Sequence, residues 1–165
     1  MIGIGCIGGT VEEGETVEDA LCREAFEEIG CKVVCARSTR PFSLDPAGTV
    51  SPLPPESVPE GVQFVWEGND PGFIAGGKVA VYVGTAIGRA EPRDLPALVQ
   101  LEPELFYTLD QGPIAIQGVE QRGGILQEKR QIPRSAYLAP VGTASRLLEL
   151  RRRHPEWLQE ILGES

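Results

Sequence analysis

The spacing of apolar residues predicts a helix near the start of the chain, over Val17–Ile29. Its apolar positions recur at the three- and four-residue spacing of one helix face: Val17, Ala20, Leu21 and Ile29. Thr16 stands where an N-cap side chain binds a free N–H of the first turn, and Gly30 is typical of a helix end. The pattern therefore predicts one well-bounded helix.

Alternating or continuous apolar runs predict strands at several later places. "CKVVCA" at 31–36 alternates, and "VQFVWEG" does so more clearly, with Val62, Phe64 and Trp66 on one face. The run from Lys78 to Ile87 is almost continuously apolar, which favours a central strand covered on both faces. Shorter candidates lie at 97–101, 105–109 and 114–118.

Prolines predict a long loop between the first two of these strands, an insertion at about 41–61. Each proline removes a backbone donor and fixes φ, which disfavours helix and central strand. A functional lid, an interaction surface and local disorder are equally good explanations. At the other end, two helices are expected at about 143–162, the first capped by Thr143, the second opened by Pro155 and stopped by Gly163.

Length and charge limit the class of protein. A chain of 165 residues with 41% hydrophobic residues has the size and composition of a single globular domain, 1–165. Its net charge of −9 argues against nucleic acid or an anionic membrane as a partner. A nucleotide can still bind to an acidic protein through a metal ion.

The first residues, "MIGIGCIGGT", have no charged region before an unbroken apolar stretch, so a signal peptide is not expected. The expected location is therefore cytoplasmic. The four cysteines, at 6, 22, 31 and 35, form no CxxC pair and have no histidine nearby. Buried free thiols are expected, in preference to a disulfide or a zinc site.

Three glutamates on the predicted helix suggest a metal site. Glu24, Glu27 and Glu28 fall on one narrow helix face, where their carboxylates can converge. Such oxygen ligands suit Mg²⁺, or Mn²⁺ in its place. Arg23 can pair with Glu27 one turn on, or with Glu15 in the preceding loop. The alternative is an ordinary solvated helix face.

The wider spacing favours the metal site. The sequence resembles the Nudix hydrolases at every fixed glycine and polar position of their signature, the Nudix box from Gly9 to Cys31. These positions are Gly9, Glu15, Arg23, Glu24, Glu27, Glu28 and Gly30. The departure is Ile7, where many members of the family have proline before the two glycines.

The resemblance implies an α/β/α sandwich with a mixed β-sheet, and divalent-metal hydrolysis of a nucleoside diphosphate linked to another group. It implies that Glu27 and Glu28 bind metal, that Glu24 is a metal ligand or a base, and that the Gly8 carbonyl completes the site. Glu15 and Arg23 would orient these groups.

A further carboxylate from a later loop often serves as the base in this family. Four glutamates are conceivable here: Glu102, Glu104, Glu120 and Glu128. Glu120, in the glycine-flanked "GVEQRGG", is the preferred candidate, although a surface glutamate in a turn is the more common situation.

Family members carry several strands before the box, and here only eight residues precede Gly9. Later strands, a second subunit or an incomplete gene start would account for the difference. Exposed sheet edges invite pairing with another chain, so a homodimer is expected.

The substrate is indicated by one residue. ADP-ribose hydrolases resemble one another in a proline about fifteen residues beyond the box, and Pro46 occupies that place. The expected substrate is therefore an ADP-sugar such as ADP-ribose. Three alternatives stay open: a nucleoside triphosphate pyrophosphatase of the MutT type, a silent Nudix-fold binding or regulatory module, and a relative acting on isoprenoid diphosphates.

Overall fold

The structure is a computed structural model that describes residues 1–68 and 77–162. The helices are α1 (Val17–Ile29), α2 (Pro103–Tyr107), α3 (Ile116–Gln121), α4 (Gly142–Arg153) and α5 (Pro155–Leu162). The strands are β1 (Ile2–Ile4), β2 (Lys32–Cys35), β3 (Phe42–Leu44), β4 (Val50–Pro52), β5 (Phe64–Glu67), β6 (Lys78–Val81), β7 (Gly84–Ile87), β8 (Ala97–Gln100), β9 (Ile114–Ala115), β10 (Ile125–Glu128) and β11 (Tyr137–Pro140). Short 3₁₀ turns lie at Pro55–Ser57 and Thr108–Gln111.

The predicted first helix is confirmed at both ends. The Thr16 hydroxyl accepts a hydrogen bond from the Asp19 N–H at 3.1 Å, which satisfies a donor of the first turn. Gly30 has φ 70°, in the left-handed region, and its N–H donates to the Phe26 carbonyl at 3.0 Å. Local sequence signals therefore set the limits of α1.

The strands form mixed sheets, which confirms the α/β class. Within the described residues, the strand orders are β4-β3-β5-β6, β1-β11-β9, β10-β8 and β2-β7. The β1–β11 and β3–β5 pairs are parallel, and the others are antiparallel. Strands from late in the chain, β11 and β9, thus extend the sheet at β1, which is the first of the three explanations given for the short segment before the box.

The proline-rich region belongs to an excursion over residues 37–62. The excursion begins after Ala36, which directly follows β2 and whose N–H donates to the Val83 carbonyl, next to β7, at 2.7 Å. It returns at Gln63, whose N–H donates to the Val81 carbonyl at 2.8 Å and whose amide Nε2 donates to the Ala36 carbonyl at 3.3 Å. Both ends of the excursion are therefore hydrogen-bonded to residues 81–83, and they lie next to each other.

The prediction of a continuous loop at about 41–61 is wrong over β3 and β4. Phe42 and Leu44 alternate with a polar residue and are buried, so β3 is a core strand. Pro52 lies in β4, at the end of its sheet, where a missing backbone donor costs no ladder bond. The prolines are thus confined to positions that do not interrupt the sheet.

The apolar run 78–87 is divided between two sheets. β6 pairs with β5 and β7 pairs with β2, and all four residues of β7 are exposed. Ile87 is 57% exposed, so the expected central strand covered on both faces is wrong. A continuous apolar run in the sequence does not show whether other elements of the fold cover both faces of the strand.

Two other strand predictions are also wrong. The segment 105–109 forms α2 and a 3₁₀ turn, with Pro103 in the first helical turn, where the missing N–H is harmless. Of 114–118, only Ile114–Ala115 is a strand, and α3 begins at Ile116. Strands at 31–36, from Val62 and at 97–101 are confirmed as β2, β5 and β8.

Within the described ranges, two buried apolar clusters are joined by α4. The first unites the four-stranded sheet with α4 and α5, and the second lies under β11, α2 and α3. Leu150 packs in the first cluster and Leu148 in the second. The two C-terminal helices are confirmed, but Thr143 lies inside α4 instead of capping it, and its hydroxyl accepts the indole N–H of buried Trp66 at 3.2 Å. The predicted stop at Gly163 lies outside the described residues.

The cysteines are free thiols, as expected, although only Cys31 is fully buried and Cys6 and Cys22 are exposed. None of the described helices is both long enough and apolar enough to cross a membrane.

A core substitution tests whether the proline-rich region is structural. Phe42 is 1% exposed and stacks on Phe64 with ring centroids 5.2 Å apart. Phe42→Ala should lower the free energy of unfolding by about 3–5 kcal/mol, because it removes a buried ring and leaves a cavity. Urea denaturation measures this loss. Exposed Pro54→Ala is the matched control and should shift stability by about 0.5 kcal/mol or less; equal effects would show that β3 does not belong to the core.

Candidate active site

The loop between β1 and α1 touches the box carboxylates through two glycines. The Gly8 N–H donates to Glu28 Oε2 at 3.2 Å. A Cβ placed on Gly9 would overlap the carboxylate of Glu24. Gly9 therefore permits a close approach of backbone and carboxylate that any other residue would block. The structure places the Gly8 N–H, not its carbonyl, in contact with a box glutamate.

Arg23 gathers the remaining acidic side chains of the box. Its Nε donates to Glu15 Oε1 at 2.9 Å and its Nη2 to Glu15 Oε2 at 3.0 Å, a bidentate pair. Its Nη1 donates to Glu24 at 2.9 Å and to Glu27 at 3.2 Å. Nη2 also donates to the Thr10 carbonyl at 3.0 Å, which fixes the loop. Both predicted pairings of Arg23 are present.

The charges perturb one another in a consistent way. Hydrogen bonds to Glu15, and then to Glu24, raise the pKa of Arg23 further above its ordinary range. The Arg23 guanidinium in turn holds the pKa of Glu15 below its usual range. Burial raises the pKa of Glu28, the Gly8 N–H opposes this, and the negative charges of Glu24 and Asp94 add to the rise.

The box carboxylates are oxygen ligands of the kind that divalent cations prefer, but they do not converge on one point. Among the described residues, no three or more Asp, Glu, His or Cys side chains form a group that could hold a metal ion. The reason is visible in the contacts: Arg23 binds Glu24 and Glu27, while the Gly8 N–H binds Glu28. The donor set fits Mg²⁺ or Mn²⁺, provided that Glu24 and Glu27 exchange Arg23 for the metal.

Asp94 is a site residue that the sequence reasoning missed. Its N–H donates to the Glu27 carbonyl at 3.2 Å, and its negative charge contributes to the raised pKa of Glu28. It lies in "GRAEPRDLP", a charged segment without periodicity, between β7 and β8. No local signal distinguishes it from solvated loop residues.

Glu120, the preferred base, lies in α3 and is held by an arginine. Arg134 Nε lies 3.1 Å from Glu120 Oε2, and Arg134 Nη2 donates to Glu128 at 2.7 Å. This pairing lowers the pKa of Glu128 to about 2. The two remaining candidates, Glu102 and Glu104, lie at the start of α2. Their catalytic roles stay predictions.

Pro46 lies in the exposed turn between β3 and β4. Arg153 Nη1 donates to the Ala47 carbonyl at 2.5 Å, and His154 Nε2 lies 3.0 Å from the Gly48 carbonyl, so the turn is bound to the end of α4. A groove at the base of the excursion contains no box residue. It is lined by Ser38, Pro41, Pro55, Val58, Pro59, Glu60, Gly61 and Val62.

Comparison with known proteins finds a family match over part of the chain. Residues 3–77 match the family model described as NUDIX domain, a range that includes most of β1, the whole box and β2 to β5. A search of curated proteins and a search of solved structures each returned no match. The complete box and its Arg23 network lie within this match, so the chain carries a Nudix domain over residues 3–77, the domain of a family of pyrophosphohydrolases of nucleoside diphosphate derivatives.

Proposed function

We propose that the substrate is an ADP-sugar, with ADP-ribose first, and that hydrolysis releases a nucleoside monophosphate. The observation that carries the catalytic part is the intact constellation around Arg23, in which every box glutamate is kept. Binding or regulatory modules of this fold usually lose these glutamates, which argues against a silent module. Pro46, at the place where ADP-ribose hydrolases resemble one another in a proline, supports the ADP-sugar.

The metal ion that Nudix enzymes use would be held by Glu24, Glu27 and Glu28, with Gly8 from the loop. When bound, a divalent metal shields phosphate oxygens and lowers the pKa of the attacking water. We propose Mg²⁺, or Mn²⁺, because oxygen donors suit both hard cations. Glu15 fixes the Arg23 guanidinium, and Arg23 binds Glu24 and Glu27. Its positive charge offsets the repulsion between these carboxylates.

Two carboxylates outside the box compete for the role of base. Asp94 is supported by its backbone contact with Glu27 and by its charge, which adds to the raised pKa of Glu28, and Glu120 by its place in the glycine-flanked end of α3. Glu120 Oε2 lies 3.1 Å from Arg134 Nε, so one of its oxygens is engaged in an ion pair. Asp94 is therefore the better-placed candidate.

Removing one box charge tests the catalytic reading. Glu28→Gln keeps the shape of the side chain and should lower kcat by about two to four orders of magnitude, because one proposed metal ligand loses its negative charge. Steady-state release of nucleoside monophosphate in Mg²⁺ measures it. Exposed Glu13→Gln, in the loop before α1, is the matched control and should keep full activity. Unaltered turnover in Glu28→Gln would end the catalytic interpretation.

The same assay distinguishes the two bases. Asp94→Asn should lower kcat about a hundredfold, the usual range for losing a positioned base, whereas Glu120→Gln should have little effect. The reverse pattern would restore Glu120 as the base.

Substrate choice is decided by a ratio of specificity constants. We expect kcat/KM for ADP-ribose to exceed that for dGTP in the same Mg²⁺ buffer. Pro46→Ala should lower the ADP-ribose value about tenfold, as loss of an apolar contact does, and leave the dGTP value unchanged. Pro54→Ala, another exposed proline of the excursion, is the control. Equal or better cleavage of dGTP would favour the MutT type of activity.

A homodimer is the assembly that we propose, with cytoplasm as the location. β7 pairs on one side with β2, is fully exposed and carries no charged residue, so its edge lacks the charges that usually guard against pairing. Light scattering at micromolar concentration should give twice the chain mass, and Ala86→Lys, which charges β7, should lower it to one. A monomer mass for the unaltered protein would reject the dimer.

A further inference from the structure

The last carbonyls of α1 are bound by a segment from outside the box. A helix end leaves its final carbonyls without partners inside the helix, so another part of the chain must supply donors. Residues 91–94 supply three: the N–H groups of Glu91, Arg93 and Asp94 donate to the carbonyls of Ile29, Glu28 and Glu27 at 3.0, 2.8 and 3.2 Å. The 91–94 segment therefore binds the backbone of Glu27 and Glu28, two of the three proposed metal ligands.

The Arg93 side chain lies along the same helical turn. Its guanidinium carbon is 4.5 Å from the centroid of the Phe26 ring, within the range of a favourable cation–π contact. A Cβ on Gly30 would lie 2.5 Å from Arg93 Nε, so the absence of a side chain at Gly30 makes room for the guanidinium. Arg93 thus contacts the end of α1 through both backbone and side chain.

The 91–94 segment is held from its far side as well. Lys129 Nζ donates to the Arg93 carbonyl, and the N–H groups of Lys129 and Arg130 donate to the Pro96 carbonyl, each at 3.0 Å. Lys129 directly follows β10. The last turn of α1 is therefore tied, through Arg93, to a strand in the second half of the chain.

We propose that Arg93 is a positioning residue that fixes the direction of the Glu27 and Glu28 carboxylates. These two residues are adjacent, so a rotation of the last turn of α1 moves both carboxylates together. Arg93 contacts the helix and not a reacting atom, so it acts through the glutamates. The inference rests on the proposed metal-dependent hydrolysis, because it concerns the same carboxylates.

Charge and position predict opposite results when Arg93 is removed. A guanidinium near the carboxylates repels a divalent cation, so loss of its charge alone would tighten metal binding. Loss of a positioning contact would weaken binding, since outer contacts of metal ligands commonly change affinity by about 10–100-fold. The direction of change therefore separates the two roles.

The experiment measures Mn²⁺ affinity by electron paramagnetic resonance of the free ion, without substrate, and then steady-state hydrolysis in Mg²⁺. Arg93→Ala should weaken Mn²⁺ binding about tenfold and lower kcat by a similar factor, with KM within about twofold of its original value. Arg93→Lys keeps a cation over Phe26 and should recover most of both losses. Arg89→Ala is the matched control: Arg89 is exposed, pairs with Glu91 at 3.5 Å, and should leave both values unchanged.

Phe26→Leu tests the contact from the helix side. It should weaken Mn²⁺ binding, and the double variant with Arg93→Ala should be no weaker than Arg93→Ala alone, because both changes break one contact. Thermal denaturation confirms that each variant is folded.

Tighter or unchanged Mn²⁺ binding in Arg93→Ala, or an equal loss in Arg89→Ala, would overturn the positioning role. If the unaltered protein hydrolyses no nucleotide but binds Mn²⁺, the proposed function fails, and the Mn²⁺ affinities of the variants still decide the role of Arg93.

Discussion

The site depends on one guanidinium surrounded by carboxylates. Without Arg23, the acidic side chains of Glu15, Glu24 and Glu27 would repel one another across a single helix face and the loop before it. With Arg23, they are held together by charge-assisted hydrogen bonds, and the loop is fixed through the Thr10 carbonyl. The same interaction engages Glu24 and Glu27 in ion pairs, and among the described residues no group of three or more such side chains is gathered for a metal ion.

The remaining fold holds this helix by contacts outside the two large apolar clusters. Among the described residues, Ala20, Ala25 and Ile29 of α1 are buried but belong to neither cluster; β2 follows α1 directly, and the 91–94 segment binds its end. The excursion 37–62 leaves and returns at neighbouring positions, Ala36 and Gln63, so a long insertion adds two strands without displacing β2 or β5. The insertion therefore leaves the strand that follows the box helix in place.

Errors of the sequence predictions share a cause. The segment 105–109 and the residues from Ile116 onward are apolar enough for strands, but they form short helices whose apolar side chains pack in the same cluster under β11. Phe42 and Leu44 lie among prolines and still form a core strand, since β5 provides a parallel partner. In each case a partner distant in sequence outweighs local propensity.

The sequence by itself determined α1, its caps at Thr16 and Gly30 and the set of box residues, because capping and helical spacing act over three or four residues. It also determined the pairing of Arg23 with Glu15 and Glu27, which lie within reach on the same helix and the adjoining loop. Only the tertiary structure decided that the Asp94 N–H binds the Glu27 carbonyl, that Arg93 covers Gly30, and that Glu120 pairs with Arg134. These contacts join segments far apart in the chain, and strand pairing and core packing, which no local spacing encodes, bring them together.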